Sequence, residues 1–275
     1  MTDDSRLTTH DSRLVYVYAI LAEPWAGELT GINDQPVRWI TANGLTAAVS
    51  DVPEEEFGEE PLNESVRDMT WLEPRAIEHQ NVNYRLHGAV EAMIPLAFGT
   101  VFRDDERVRH MLRDRTAALT ERLDAVRGCG EWVVALELLA DPAPELVAQA
   151  SPAIQALRAE IESSPPGRAH LLRQRMAELG RDEARRLRGQ AADETLASLS
   201  AVAADVFREP LPVDTIAQPL LRVSVLVRRQ DEARFIDEVE RLQARWPEPT
   251  YRWLLTGPWA PYRFGGIDPS GAIDA

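Results

Sequence analysis

The sequence predicts an α+β protein of two domains, at least one of them ferredoxin-like, with a long, coiled-coil-like helical element in its second half. Three observations carry this expectation. Strand-like and helix-like runs alternate in two series that divide near Gly128–Gly130, and strand–helix–strand units joined by hairpins are the pattern of α+β folds. Asn43-Gly44 lies between two β-rich runs, a strong hairpin signal. From about 145 to 208 the patterning is helical and carries few aromatics. The expected domains are 1–128 and 129–264, with a flexible tail at 265–275.

In chain order, Leu14–Ala22 is rich in β-branched and aromatic residues and reads as a buried strand. Val37–Thr41 and Leu45–Ser50 form the hairpin arms, and the acidic stretch Glu54–Glu60 reads as a solvated loop or short helix. Trp71–Met93 reads as a helix with Leu72, Ala76, His79, Leu86, Val90 and Met93 on one face, and with Pro74 tolerated in the first turn. Ile94–Phe98 reads as a short strand ended by Gly99. A helix opens at Asp104-Asp105-Glu106, where acids suit its dipole; it carries Val108, Leu112, Leu119, Leu123 and Val126 and stops at Gly128-Cys129-Gly130.

The second series begins with Trp132, Val134, Leu136 and Leu138, which alternate as in a strand. Ser163-Ser164-Pro165-Pro166-Gly167 interrupts the helical region as a turn between two helices. The second of these is long, and Leu172, Met176, Leu179 and Leu187 give it a narrow apolar stripe suited to helix-on-helix packing. Leu221–Val227 alternates as a half-buried strand. Phe235, Val239, Leu242 and Trp246 mark a helix, and Tyr251–Thr256 is the last strand.

The chain has 275 residues, is 44% hydrophobic and 27% charged, and has a formal net charge of −15. That charge argues against general nucleic-acid binding. One cysteine, Cys129, leaves no internal disulfide to form. The N-terminal residues lack the layout of a signal peptide, and no apolar run approaches the ~18 residues of a membrane span, so the expectation is a soluble, cytoplasmic protein. Charge is unevenly placed. Residues 1–60 hold 12 acids and 3 arginines, a net of −9. Residues 168–188 hold seven arginines against Glu178, Asp182 and Glu183, a net of +4. Arginine pairs bidentately with carboxylates, so Arg173, Arg181, Arg185 and Arg188 are a candidate patch for an acidic partner; the other reading is a solvated helix face.

No phosphate-binding loop, dinucleotide fingerprint, nucleophile elbow or zinc-type Cys/His spacing occurs in the sequence. His79 and His87 lie two turns apart on one helix, about 12 Å, too far to share a metal, and His79 reads as a hydrogen-bonded core residue. The expectation is no catalytic residue, no metal and no cofactor.

Several segments resemble the gas vesicle protein L/F family. They are Val15-Tyr16-Val17-Tyr18-Ala19-Ile20, Leu45–Pro53, the helix with Trp71, Arg75-Ala76 and His79, Ile94–Phe102 (IPLAFGTVF), Gly130–Val134, and Thr256–Phe264 (TGPWAPYRF). The fourth and the last are the specific ones. Ala97 stands where the family has arginine, Ala260 where it has proline, and Arg263 where it has a small polar residue. The resemblance implies a non-enzymatic accessory protein of gas vesicle assembly that binds the small hydrophobic shell protein, other accessory proteins, or both. It also implies two α+β domains, one of them ferredoxin-like.

The candidate interface residues are Thr256, Gly257, Pro258, Trp259, Pro261, Tyr262 and Phe264, together with Pro95, Phe98 and Gly99. Gly257-Pro258 reads as a rigid turn that projects aromatics, which either anchor an interface or close the core. Two further readings remain at this point. One is a minor component of the vesicle wall, and the other a small-ligand or enzyme module on a ferredoxin-like scaffold.

Overall fold

A computed structural model describes residues 13–142, 147–148, 151–213 and 217–266. The expected tail at 265–275 lies outside the described residues from 267 onward. The chain divides into two compact units, one of Met1–Glu131 with Pro258–Ala275 and one of Trp132–Gly257. This differs from a boundary at 128 with the second domain running to 264.

The first unit is built on β1 (Arg13–Leu21), which pairs antiparallel with β3 (Leu45–Pro53) on one side and with β4 (Met93–Pro95) and β5 (Val101–Phe102) on the other. β2 (Arg38–Ala42) completes the order β2-β3-β1-β4. The β2–β3 turn places Asn43 at φ 47° and Gly44 at φ 75°, as a tight hairpin requires. Helices α1 (Glu54–Phe57), α2 (Glu59–Ser65) and α3 (Met69–Ala89) follow β3, and α4 (Asp105–Asp114) and α5 (Thr116–Ala125) follow β5.

Both sheet faces are apolar and covered. Val15, Val17 and Ile20 share one core with Val108, Leu112, Leu119 and Leu123 of α4 and α5. Tyr16, Tyr18, Ala19 and Leu21 share the other with Phe57, Val82 and Leu86. The phase slips because Val17 opposes Val49 while Ala19 opposes Ala48. Tyr18 is therefore the extra residue of a β-bulge. The bulge sends Tyr18 and Ala19 to the same face and keeps Tyr16 and Tyr18 side by side, ring centroids 4.9 Å apart.

The second unit contains β6 (Cys129–Leu138), α6 (Pro152–Ser163), α7 (Pro166–Val202), β7 (Asp205–Arg208), β8 (Gln218–Arg228), α8 (Glu232–Arg245) and β9 (Tyr251–Trp259); its division from the first unit falls within β6 and β9. Its sheet order, β7-β8-β6-β9, read with the βαββαβ chain order, is ferredoxin-like. Val134, Leu136, Val223 and Val225 of the sheet pack with Leu187, Leu199, Phe235 and Leu242 of α7 and α8. The 37-residue α7 is the long helical element.

Several local expectations are corrected. Helix α3 begins at Met69 behind an Asp68 cap that accepts from Thr70 N–H at 2.9 Å, so Pro74 sits beyond the first turn. Ile94–Phe98 is not one strand; the chain turns through Gly99 at φ 82° between β4 and β5. The helix from Asp104 breaks into α4 and α5 at Arg115. Only Gly128, at φ 65°, is a turn residue, and Cys129 and Gly130 already belong to β6. Helix α7 ends at Val202, and 205–208 is an edge strand. Gly257-Pro258 is not a turn after a strand, because β9 runs on to Trp259.

Candidate functional site

The motif residues of the first unit converge on His79, which is 4% exposed on the inner face of α3. The Tyr16 hydroxyl lies 2.9 Å from His79 Nδ1 and accepts a hydrogen bond from Gly99 N–H at 3.0 Å. On the other ring nitrogen, Asn83 Nδ2 lies 3.0 Å from His79 Nε2 and donates to the Tyr262 hydroxyl at 2.8 Å. The Tyr262 hydroxyl donates in turn to Gln80 Oε1 at 3.1 Å. Tyr18 turns its hydroxyl to accept from Ile32 N–H at 2.8 Å. Phe98 stands edge-on to Tyr16, Trp71 and His79, with ring centroids 5.8–6.3 Å apart.

Burial governs the titration of this cluster, since a charged ring or phenolate would sit without solvent. Desolvation pushes His79 down to about 4, against a smaller opposing hydrogen bond to Leu96. It raises Tyr16 well above the ordinary phenol value, and it pushes Tyr262 up to about 12 against the opposing hydrogen bond from Asn83. The cluster is therefore neutral at pH 7 and joins β1, α3, the Gly99 turn and Tyr262.

A second knot lies at the outer end of α3. Glu56 accepts from Trp71 Nε1 at 2.7 Å and from Asn33 Nδ2 at 2.8 Å, and it pairs with Arg75, whose guanidinium stacks 4.5 Å over the Trp71 ring. The acidic stretch is thus two short helices, and Glu56 is committed internally rather than solvated.

The closing motif divides between two environments. Ala260 (2% exposed) and Pro261 are buried, and Tyr262 joins the His79 cluster. Arg263 N–H donates to Glu131 at 2.7 Å, and Arg122 donates to the Phe264 carbonyl at 3.2 Å. Residues 258–264 therefore belong with the first unit. Trp259 is different: it is 38% exposed. Thr256 is also exposed, and Gly257, Pro258 and Phe264 are half-buried. Pro95 is buried in β4, while Phe98 and Gly99 are half-buried in the cluster.

In the second unit Arg181, Arg185 and Arg188 line a cleft beside α7 together with Arg158 of α6. Arg173 is exposed on α7 and is not among the lining residues. Sequence reading missed Asn83, Glu56 and Arg158. The i,i+4 spacing of His79 and Asn83 was a usable signal; the place of Arg158 depends on how α6 folds back on α7 and has no local signature.

The family model described as "Gas vesicle synthesis protein GvpL/GvpF" matches residues 14–265. The chain belongs to the GvpL/GvpF family. It is 33% identical over 264 residues to gas vesicle protein L of Streptomyces sp. (strain CB03234), covering 93% of this chain and 94% of that protein. It is 29% identical to gas vesicle protein L2 of Halobacterium salinarum, over 94% and 93% of the two chains. The crystal structure of GvpF from Anabaena sp. PCC7120 shares the fold at a TM-score of 0.68 and 19% identity, covering 94% of this chain and all of that one. As a GvpL/GvpF protein the chain has a gas vesicle-related role. Among its described residues no helix is long and apolar enough to cross a membrane.

Proposed function

We propose that this GvpL/GvpF protein is a non-enzymatic accessory factor of gas vesicle assembly. It works in the cytoplasm and at growing vesicles, binding the small hydrophobic shell protein, other accessory proteins, or both. The observation that carries this reading is the family match across 14–265. The geometry supports it. The polar side chains of the motif cluster are engaged with one another in a neutral, buried network, which suits a rigid frame. Trp259, 38% exposed, leaves apolar surface at the end of β9, and large aromatic side chains are common interface anchors.

Removing the gene from a vesicle-forming host and counting vesicles by electron microscopy tests this. The expected result is few or misshapen vesicles, restored by the wild-type chain. Normal vesicles in its absence contradict an assembly role.

A further inference from the structure

We propose that the cleft between α6 and α7 binds an acidic amphipathic helix of a partner protein. This rests on the assembly reading above and gives it one contact surface. The cleft encloses about 500 Å³, and Val147, Ile154, Met176 and Ala184 supply its apolar lining. Ala177, Gly180 and Ala184 put small residues at i, i+3 and i+7 along the α7 side. A Cβ built on Gly180 meets no atom within 4 Å, so the glycine leaves an open notch. Helices pack with axes 8–10 Å apart according to the side chains at the contact, and small residues permit the close end of that range.

The rim is basic. Arg158, Arg181, Arg185 and Arg188 line the cleft, and Asp141 is the one carboxylate lining it among the described residues. Arg188 reaches Asp141 at 3.5 Å and Arg185 reaches Asp182 at 3.5 Å. Arg158 and Arg181 make no ion pair among the described residues. This concentration of positive charge occurs in a chain of net charge −15, so it selects for carboxylates rather than reflecting a generally basic surface. Arg181 and Arg185 stand one turn apart, matching carboxylates one turn apart on an opposing helix. The occupant that fits is a helix with an apolar stripe flanked by Asp or Glu.

The test uses the full chain and a labelled synthetic peptide of about five helical turns, with leucines on one face flanked by glutamates. Fluorescence anisotropy is expected to show binding that weakens with salt. Affinity is expected to drop about tenfold or more in Arg158→Glu/Arg181→Glu, or when lysines replace the peptide's glutamates. Gly180→Leu, which places a side chain in the notch where a Cβ meets no atom within 4 Å, is expected to weaken binding with no loss of melting temperature, since leucine favours a helix over glycine. Equal binding of both peptides, no binding, or unchanged affinity in both protein variants overturns the proposal. The two readings fail separately. If the wild-type chain is needed for vesicles but the variants bind the peptide normally, the cleft proposal falls alone. If the cleft binds as stated but vesicles form without the chain, the assembly reading falls.

Discussion

The Tyr16 hydroxyl lies 2.9 Å from Nδ1 of His79, a residue 63 positions away in the chain. Their contact joins the central strand of the first sheet to α3, and it places a neutral imidazole where a charged one has no solvent. Acid therefore acts on this point of the fold. His79 has a folded-state value of about 4, below the ~6.5 of an unfolded histidine. The neutral form belongs to the folded state. Its contribution is complete above pH ~6.5, fades as pH falls toward ~4, and changes no further below that. The difference is on the order of 3 kcal/mol. Urea unfolding at pH 7 and pH 4.5 is expected to show a larger loss of stability in the wild type than in His79→Gln, which has no ring to protonate. Equal losses contradict the assignment.

Tyr262 is expected to act as a structural residue. Tyr262→Phe removes the hydroxyl that meets Asn83 and Gln80 and leaves buried polar groups less satisfied, at a cost of about 1–2 kcal/mol. Denaturant midpoints measure this. Partner binding by the folded variant is expected to stay at the wild-type level.

Gly31 has an ordinary φ of −105°, so its constraint is space and not backbone conformation. A Cβ there would lie 2.1 Å from the Tyr18 hydroxyl and 2.7 Å from Ser50 Oγ. Gly31→Ala must displace the hydroxyl that receives Ile32 N–H. The expected loss is about 1–3 kcal/mol, as for overpacked cores. Gly44→Ala, where no atom lies within 4 Å but φ is 75°, separates strain from crowding; relief of its cost by Gly44→Asn, which tolerates positive φ, is the expected signature of strain.

Trp259 is expected to behave in the opposite way to Tyr262. With 38% of its surface exposed, Trp259→Ala should shift the melting temperature little. Binding to a vesicle partner should weaken about tenfold or more, since anchor residues contribute on the order of 2 kcal/mol. A large melting loss with normal residual binding would assign Trp259 to the core.

Much of this architecture is legible in the sequence. A β-branched and aromatic run located β1, Asn43-Gly44 between two β-rich runs located β2 and β3, and the stripe Phe235–Trp246 located α8. The local errors have physical causes. β7 follows α7 after Ala203-Ala204, which carry no helix-breaking signal, and four edge residues are too few to show a period of two. The bulge at Tyr18 leaves no mark in a run that is apolar on both faces. Proline usually signals a break, yet Pro258 lies within β9, a strand at the edge of its sheet, where a missing N–H is tolerated. The candidate sites were partly legible. Motif resemblance pointed to residues near Tyr262 and Trp259, but only the fold shows that the first is enclosed and the second exposed. The arginines of α7 were visible as a charge cluster, whereas Arg158 and the notch at Gly180 join them only through the α6–α7 packing.

Binding to other gas vesicle proteins is the role proposed for this chain. Affinity purification of the tagged full chain from cells making the complete set of gas vesicle proteins, followed by quantitative mass spectrometry, tests it most directly. The expected result is recovery of the shell protein, at least one accessory protein, or both, well above an untagged control and reduced by Trp259→Ala. Recovery of none of them above that control, with the chain folded and abundant, would contradict it.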